Sequence, residues 1–170
     1  VNRPEDVLLM RKHLATMGRP HMAVVLKIET LAAFHHLPGI LLAGMQSSPL
    51  GIMVARGDLA VEAGLDHLSE LQEDILWICE AAHIPVIWAT QVLEGLAKKG
   101  LLSRGEVTNA AMSGRAECVM LNKGPYILQT LEFLRDVLSR MENHLEKKTA
   151  MLRKLSISDM RADGARRSAA

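Results

Sequence analysis

The sequence predicts an α/β fold built from parallel β/α units. Four short apolar runs alternate along the chain with longer segments of helical periodicity, the pattern of strands joined by crossover helices. Three of the four runs end in polar residues, at the carboxyl ends where parallel α/β folds bind ligands. The predicted strands cover residues 22–28, 51–55, 84–89 and 118–121.

The number of these units indicates half of a (β/α)8 barrel. An open doubly wound sheet usually carries a glycine-rich phosphate turn after its first strand, and the sequence has no such turn. A complete barrel usually needs about 250 residues, whereas this chain has 170 and begins at Val1 rather than Met. We therefore expect a fragment, with the half barrel in residues 1–155 and a basic, disordered tail in residues 156–170.

Helical patterns fill the intervals between the strands. The first opens with Pro4 and stops near Gly18. Ser103 and Glu106 have the spacing of a capping box at the start of another helix. A loop is expected from Asp58 to Gly64. The predicted helices cover approximately residues 3–17, 31–42, 65–83, 92–98, 103–112 and 126–154.

The composition excludes several classes of function. A net charge of +1 and an aromatic content of 3% argue against a nucleic-acid partner and its base-stacking platforms. No apolar stretch is long enough to span a bilayer, so no membrane partner is expected. Cys79 and Cys118 are far apart in apolar surroundings, which predicts two buried thiols in a reducing, cytoplasmic compartment.

Charged residues follow the first two predicted strands. Lys27 and Glu29 are two residues apart and share one face of a strand. Gly57 lets the backbone approach a ligand closely or adopt a positive φ, and Asp58 places a carboxylate at the tip of the second strand. Asp58 is equally compatible with capping the following helix.

Two further residues follow strands and have a functional and a structural interpretation. Thr90 follows the third strand. It either supplies a hydroxyl at the carboxyl ends of the strands, beside the charged residues, or caps a helix. Arg56 either holds a phosphate or, as we expect, pairs with an acid such as Glu29 or Glu62. Two carboxylates, a lysine and a hydroxyl at one mouth suit an enolate-forming or phosphoryl-transfer site.

Several of these segments resemble the pyruvate kinase family. Residues 52–59, Ile-Met-Val-Ala-Arg-Gly-Asp-Leu, are similar to its most recognisable segment. Lys27-Ile28-Glu29 and residues 85–94, 103–106 and 118–121 follow in the family's order at similar spacing. The resemblance covers about residues 1–141. It implies strands five to eight of a TIM (β/α)8 barrel of the phosphoenolpyruvate/pyruvate-binding type, without the first four strands, the lid domain or the regulatory domain.

The resemblance also implies roles for individual residues. Lys27 matches the family's essential lysine, which would stabilise the phosphoryl group in flight and the developing enolate. Glu29 and Asp58 match the two carboxylates that hold Mg2+. The backbone of Gly57 and Asp58 would bind the substrate carboxylate. Thr90 would also bind the substrate, since it matches a threonine near the reacting carbon on the proton-donation path to the enolate.

The implied reaction is phosphoryl transfer between phosphoenolpyruvate and ADP, giving pyruvate and ATP in glycolysis in the cytoplasm. Potassium is a second cation of the family, but its ligands would lie outside this chain. A half barrel leaves strand edges and an apolar interior uncovered. We therefore expect a homo-oligomer, or pairing with a missing N-terminal half, and low activity of this chain alone.

The sequence also departs from the family's pattern. Asn122-Lys123-Gly124-Pro125-Tyr126 replaces a Ser-Gly-Glu-Thr segment, Gly105-Glu106 replaces Ala-Glu, and Asn109 replaces an acid. These changes indicate a divergent branch and affect the nucleotide site and subunit contacts more than the metal site. Two alternatives therefore stay open: a Mg2+-dependent lyase or aldolase acting on a pyruvate enolate, and a non-catalytic half-barrel module.

Overall fold

The structure, a computed structural model, describes residues 1–47 and 49–145. The predicted tail and the predicted last turns of the final helix therefore lie outside the described residues. The chain divides into two compact units, of which the first contains Val1–Pro85 and the second begins at Val86. In chain order the elements are α1 (Pro4–Thr16), β1 (Val24–Ile28), α2 (Leu31–His35), α3 (Leu37–Met45), β2 (Leu50–Ala55), α4 (Arg56–Ala63), α5 (Leu65–Ala81), β3 (Val86–Ala89), α6 (Glu94–Lys99), α7 (Arg104–Met112), a 3-10 turn (Ser113–Arg115), β4 (Cys118–Val119) and α8 (Ile127–Leu145).

The first unit is built around a parallel pair of strands. β1 and β2 pair in parallel, with Lys27 opposite Met53 and Ile28 opposite Val54. Side chains alternate along β1, so that Leu26 and Ile28 are buried while Lys27 is exposed. The core of this unit collects buried aliphatic and aromatic side chains from the strands and the surrounding helices, including Ile52, Val54, Phe34, Leu37, Ile40 and Ile75.

A buried arginine ties α1 to the start of both strands. Arg11 is only 9% exposed. Its Nη1 donates to the carbonyl of Met22 at 2.9 Å, and its Nη2 donates to the carbonyl of Pro49 at 3.4 Å. Met22 precedes β1 and Pro49 precedes β2, so one guanidinium fixes the entry into two strands.

Arg11→Met is expected to lower the free energy of unfolding by about 2 kcal/mol, because two carbonyls lose a charged donor at a buried position. Urea unfolding followed by far-UV circular dichroism measures this. Lys12→Met is the matched control, since Lys12 is the exposed next residue of α1. Equal stability of the two variants would show that Arg11 contributes packing alone.

The second unit repeats the parallel pairing on a smaller scale. β3 and β4 pair in parallel, with Ile87 opposite Cys118 and Trp88 opposite Val119. The predicted capping box at the start of α7 is present, with Ser103 and Glu106 exchanging hydrogen bonds. Helix α8 buries Thr130 and Leu134 on one face. The predicted α/β fold with parallel strands is therefore confirmed.

Three predictions of local structure were wrong. The helix predicted over residues 31–42 is broken at His36, because Pro38 lies in the first turn of a new helix, where its missing N–H is tolerated. The loop predicted after Asp58 is instead helix α4. Cys118, predicted to be buried, is an exposed free thiol, whereas Cys79 is buried.

The apolar runs that form β1 and β4 are not buried throughout. β1 alternates, with Val25 half-exposed beside Lys27. β4 is only two residues long, so few side chains of neighbouring elements can cover Cys118. No helix in the described part of the chain is long and apolar enough to cross a membrane.

Candidate active site

Lys27, Glu29 and Asp58 come together at the carboxyl ends of β1 and β2. The Lys27 ammonium contacts Oε2 of Glu29 and donates to Oδ2 of Asp58 at 3.1 Å. The side chains of the three residues are 47%, 36% and 58% exposed, respectively. The lysine and both carboxylates are therefore neighbours at an open, water-accessible site.

The backbone explains why these three residues meet. Alternation along β1 turns Lys27 away from the core that Leu26 and Ile28 enter. β2 runs straight into α4, which places Asp58 in the first turn of that helix. An acid in a first turn is favoured by the helix dipole. Because β2 passes into α4 without a loop, Asp58 lies beside Lys27.

The start of α4 tests the capping interpretation of Asp58. The N-cap of α4 is Ala55, and no side chain forms a capping hydrogen bond there. The helix-capping interpretation of Asp58 is therefore wrong. Gly57 is the second residue of α4 and takes a helical backbone rather than a positive φ.

The electrostatics keep Lys27 charged. The hydrogen bond to Glu29, and then that to Asp58, raise the pKa of Lys27 above its ordinary value. Because all three side chains are exposed, water screens their attraction, so the contacts order the groups more than they stabilise the fold. At neutral pH a single positive charge therefore lies between two carboxylates.

The donor set of this cluster fits a magnesium ion shared with a substrate. Among residues 1–47 and 49–145, no group of three or more His, Cys, Asp or Glu side chains could hold a metal ion. Glu29 and Asp58, however, each reach the same ammonium nitrogen and so lie close enough together to bind one cation. Mg2+ usually takes one or two carboxylates and completes its shell with water and substrate oxygens.

Neighbouring residues fix the backbone that follows Glu29. The Thr30 hydroxyl accepts a hydrogen bond from the N–H of Ala33 at 3.0 Å and so caps α2. The Leu31 N–H donates to Oε2 of Glu62 at 2.6 Å. Glu62 belongs to α4, the helix that carries Asp58. The carboxylates of Glu29 and Asp58 therefore lie on segments that are hydrogen-bonded to each other.

Arg56 is buried rather than aimed at solvent. It is 4% exposed, and burial lowers its pKa to about 10. An arginine so enclosed at the start of α4 is poorly placed to bind an external phosphate, and its pairing with Glu29 or Glu62 stays a prediction.

Thr90 lies in the second unit, directly after β3. It is half-buried, and its φ of 64° places a non-glycine residue in the left-handed region. The N-cap of α6 is Leu93, so the interpretation of Thr90 as the cap of this helix is wrong. The strained backbone is typical of residues that a site holds in a required position.

One polar contact of Trp88, two residues before Thr90, was not predicted. The indole Nε1 of Trp88 donates to Oδ1 of Asn109 at 3.3 Å. Asn109 was noted only as a departure from an acid. The signal available in the sequence was its spacing, since Asn109 is three residues after Glu106 and shares its helix face.

The parallel β/α units define this chain as an α/β protein, a class in which ligand sites usually lie at the carboxyl ends of the strands. A family model described as the barrel domain of pyruvate kinase matches residues 1–127. The chain belongs to the pyruvate kinase family, as the resemblance indicated.

Curated relatives agree with this assignment. The pyruvate kinase of Thermotoga maritima is 34% identical over 153 residues, which are 86% of this chain and 31% of that protein. The pyruvate kinase of Encephalitozoon cuniculi is 34% identical over 128 residues, 71% of this chain and 28% of that protein. The pyruvate kinase of Bacillus licheniformis is 30% identical over 168 residues, 93% of this chain and 28% of that protein. This chain thus spans less than a third of the length of these relatives.

Proposed function

We propose that this chain carries strands five to eight of a pyruvate kinase barrel and the half of its active site that binds phosphoenolpyruvate. The reaction is phosphoryl transfer between phosphoenolpyruvate and ADP, giving pyruvate and ATP in glycolysis in the cytoplasm. The observation that supports this is the contact of one lysine with two carboxylates at the ends of adjacent parallel strands. Positive charge for a moving phosphoryl group and oxygen ligands for a cation are both required by such a transfer.

The residues of the cluster, and separately Thr90 of the second unit, each have a role in this proposal. The Lys27 ammonium, held by Glu29 and Asp58, stabilises charge on the phosphoryl group and on the enolate oxygen. The first turn of α4, at Gly57 and Asp58, binds the substrate carboxylate, because the positive end of a helix dipole attracts anions. Thr90 lies on the path that brings a proton to the enolate carbon.

Glu29 and Asp58 would hold Mg2+, leaving most of its coordination shell to water and substrate. When bound, the ion supplies electrostatic stabilisation of the phosphoryl and enolate oxygens. Potassium, if required, is bound by residues outside this chain. We also propose that the functional assembly is a homo-oligomer or a pair with an N-terminal half, because a half barrel alone leaves strand edges uncovered.

Titration calorimetry with oxalate, an enolate mimic, tests the proposal. We expect oxalate to bind the full chain only when Mg2+ is present. Asp58→Ala should weaken this binding at least about tenfold, or about 1.4 kcal/mol, because it removes one of two protein ligands.

Asp66→Ala is the control, since Asp66 is an exposed acid of the same unit whose nearby charge is His67, outside the cluster. Asp66→Ala should bind oxalate like the unaltered chain. Binding without Mg2+, or equal binding by Asp58→Ala, would refute the metal site.

One observation favours a second candidate, a Mg2+-dependent lyase or aldolase acting on a pyruvate enolate. Asn122-Lys123-Gly124-Pro125 stands where the family has Ser-Gly-Glu-Thr, a change on the nucleotide side of the site. Adding ADP to the same titration separates the candidates. ADP binding supports the kinase, oxalate binding without ADP binding supports the lyase, and neither would leave a non-catalytic module.

A further inference from the structure

The segment from Trp88 to Gly95 is held in an unfavourable backbone conformation. Thr90, Gln91 and Leu93 have φ angles of 64°, 57° and 48°. Non-glycine residues in the left-handed region are strained and persist only where surrounding structure enforces the conformation. Three of them within four residues therefore require a specific restraint.

Helix α7 contacts both ends of this segment. Oε1 of Glu106 accepts the N–H of Gly95 at 2.6 Å. Oδ1 of Asn109 accepts the indole N–H of Trp88 at 3.3 Å. Glu106 and Asn109 are one turn apart on the same face of α7. This one helix therefore hydrogen-bonds to the end of β3 before Thr90 and to the start of α6 after it.

Glu106 is itself fixed in place. Its Oε2 accepts the N–H of Ser103 at 3.0 Å and the Ser103 hydroxyl at 2.9 Å. Although partial burial raises the pKa of Glu106, the N–H groups of Gly95, Ser103 and Leu96 and the Ser103 hydroxyl outweigh it and lower that pKa. The same carboxylate thus caps α7 and accepts a hydrogen bond from an N–H in the first turn of α6. The N-cap residue of α6, Leu93, forms no side-chain cap of its own.

The contact between Gly95 and Glu106 is closely packed. A Cβ on Gly95 would lie 3.0 Å from both carboxylate oxygens of Glu106 and from the carbonyl of Leu101. Val92 and Leu93, which lie between the two hydrogen-bonded ends of the segment, are completely buried. The turn is therefore pinned by hydrogen bonds at its ends and by buried side chains in its middle.

From this geometry we infer that Glu106 and Asn109 are positioning residues that hold the strained turn bearing Thr90. They act through the backbone of residues 88–95 rather than by touching a substrate. The catalytic consequence rests on the proposed function, in which Thr90 lies on the proton path. The restraint itself is a property of this chain alone and can be measured without any ligand.

Amide hydrogen exchange by NMR on the full chain tests the inference. Glu106→Ala is expected to speed exchange at residues 90–96 about tenfold or more, and Glu106→Gln should restore much of the protection because its amide oxygen still accepts. Asn109→Ala should shift the Nε1–H resonance of Trp88, with Trp77 on α5 as the internal reference. Thr108→Ala is the control, since that exposed hydroxyl bonds to Arg104 of the same helix.

Two results would overturn the inference. One is unchanged exchange at residues 90–96 in both Glu106→Ala and Asn109→Ala. The other is an equal acceleration around Thr130 and Leu134 of α8, which would indicate general destabilisation rather than positioning.

Turnover of phosphoenolpyruvate and ADP is the second readout. Glu106→Ala should lower kcat by a larger factor than it raises KM for phosphoenolpyruvate, because proton delivery depends on the position of Thr90 more strongly than ground-state binding does. If the unaltered chain does not bind oxalate in the presence of Mg2+, the proposed function fails while the exchange data still decide whether α7 holds the turn. If turnover is present and kcat does not change despite faster exchange, the positioning role is refuted.

Discussion

Gly124→Ala is expected to lower the free energy of unfolding by about 3 kcal/mol, the upper end of the range for overpacking. A Cβ at residue 124 would overlap the carbonyl group of Ala97 and crowd the N–H of Lys98. These are backbone atoms at the end of α6, so no side chain can turn aside to make room. The connection into α8 would have to move away from α6.

The surrounding contacts show what such a movement breaks. The N–H of Tyr126 donates to the same Ala97 carbonyl at 3.2 Å, and the N–H of Ile127 donates to the carbonyl of Gly124 at 3.3 Å. Both bonds help to begin α8 at the correct place. A lost or lengthened bond here adds to the steric penalty.

Urea unfolding of the full chain by circular dichroism measures the effect, and the melting temperature should fall by roughly 10 °C. Gly105→Ala is the matched control, since a Cβ there meets nothing within 4 Å. That change should be neutral or stabilise α7 by about 0.5–1 kcal/mol through helix propensity. If both variants behave alike, the close approach of residues 97 and 124 does not exist in solution.

Gly124 also shows where sequence reasoning stops. The segment 122–125 was notable only because it differs from the family's Ser-Gly-Glu-Thr. Its steric requirement comes from Ala97, which lies far away in sequence, and no local pattern reports such a contact. The alternation of apolar runs and helices, in contrast, is a local property, and it predicted the parallel β/α units and most helix bounds.

The same distinction explains the wrong predictions. Helix α4 was missed because Arg56-Gly57-Asp58 looks like a turn, and the helix instead depends on burial of Arg56 and Leu59. The break at His36 was available from Pro38 and was overlooked. Burial of Cys118 was inferred from its apolar neighbours, but exposure depends on which elements cover a two-residue strand.

The candidate site was predictable to a similar extent. Lys27, Glu29 and Asp58 were identified from their positions at strand ends, and the structure adds that all three side chains meet. Thr90 was identified by the same rule. Its left-handed backbone and the hydrogen bonds of Glu106 and Asn109 to the neighbouring residues could not be predicted, because they depend on how α7 packs against residues 88–95.

Lys27→Met is expected to change two properties in opposite directions. Mg2+ should bind the full chain about fivefold more tightly, because an ammonium that contacts both carboxylates repels a second cation and competes for the same oxygens. A gain of about 1 kcal/mol is appropriate for exposed charges a few ångströms apart. Under the proposed function, pyruvate formation from phosphoenolpyruvate and ADP by the functional assembly should fall about 10²–10³-fold, because the charge that stabilises the transferred group is gone.

Protonation of Lys27 does not complicate this comparison. Its pKa is raised in the folded chain above the ordinary value of 10.5. Whatever stability the ammonium contributes is therefore fully present below pH 10.5 and lost only as the pH rises through the folded pKa. Between about pH 6 and pH 9 the lysine is charged in both the folded and the unfolded chain, so Mg2+ affinity in that range reports the presence of the side chain.

Lys98→Met is the control for removing a paired surface lysine. Lys98 contacts Glu94 and is 51% exposed, so it matches Lys27 in environment without belonging to the cluster. It should change neither Mg2+ affinity nor turnover. Titration of both variants with Mg2+ by calorimetry, followed by the coupled assay, gives the two readouts.

The opposite signs separate a catalytic lysine from a structural one. If Lys27 merely holds Glu29 and Asp58 together, its loss lets two like charges drift apart, and Mg2+ affinity and turnover should fall together. If the carboxylates are already positioned by β1, by α4 and by the Leu31–Glu62 hydrogen bond, they remain in place and bind the cation better. Weaker Mg2+ binding by Lys27→Met would therefore refute the role proposed for this lysine, even if turnover is lost.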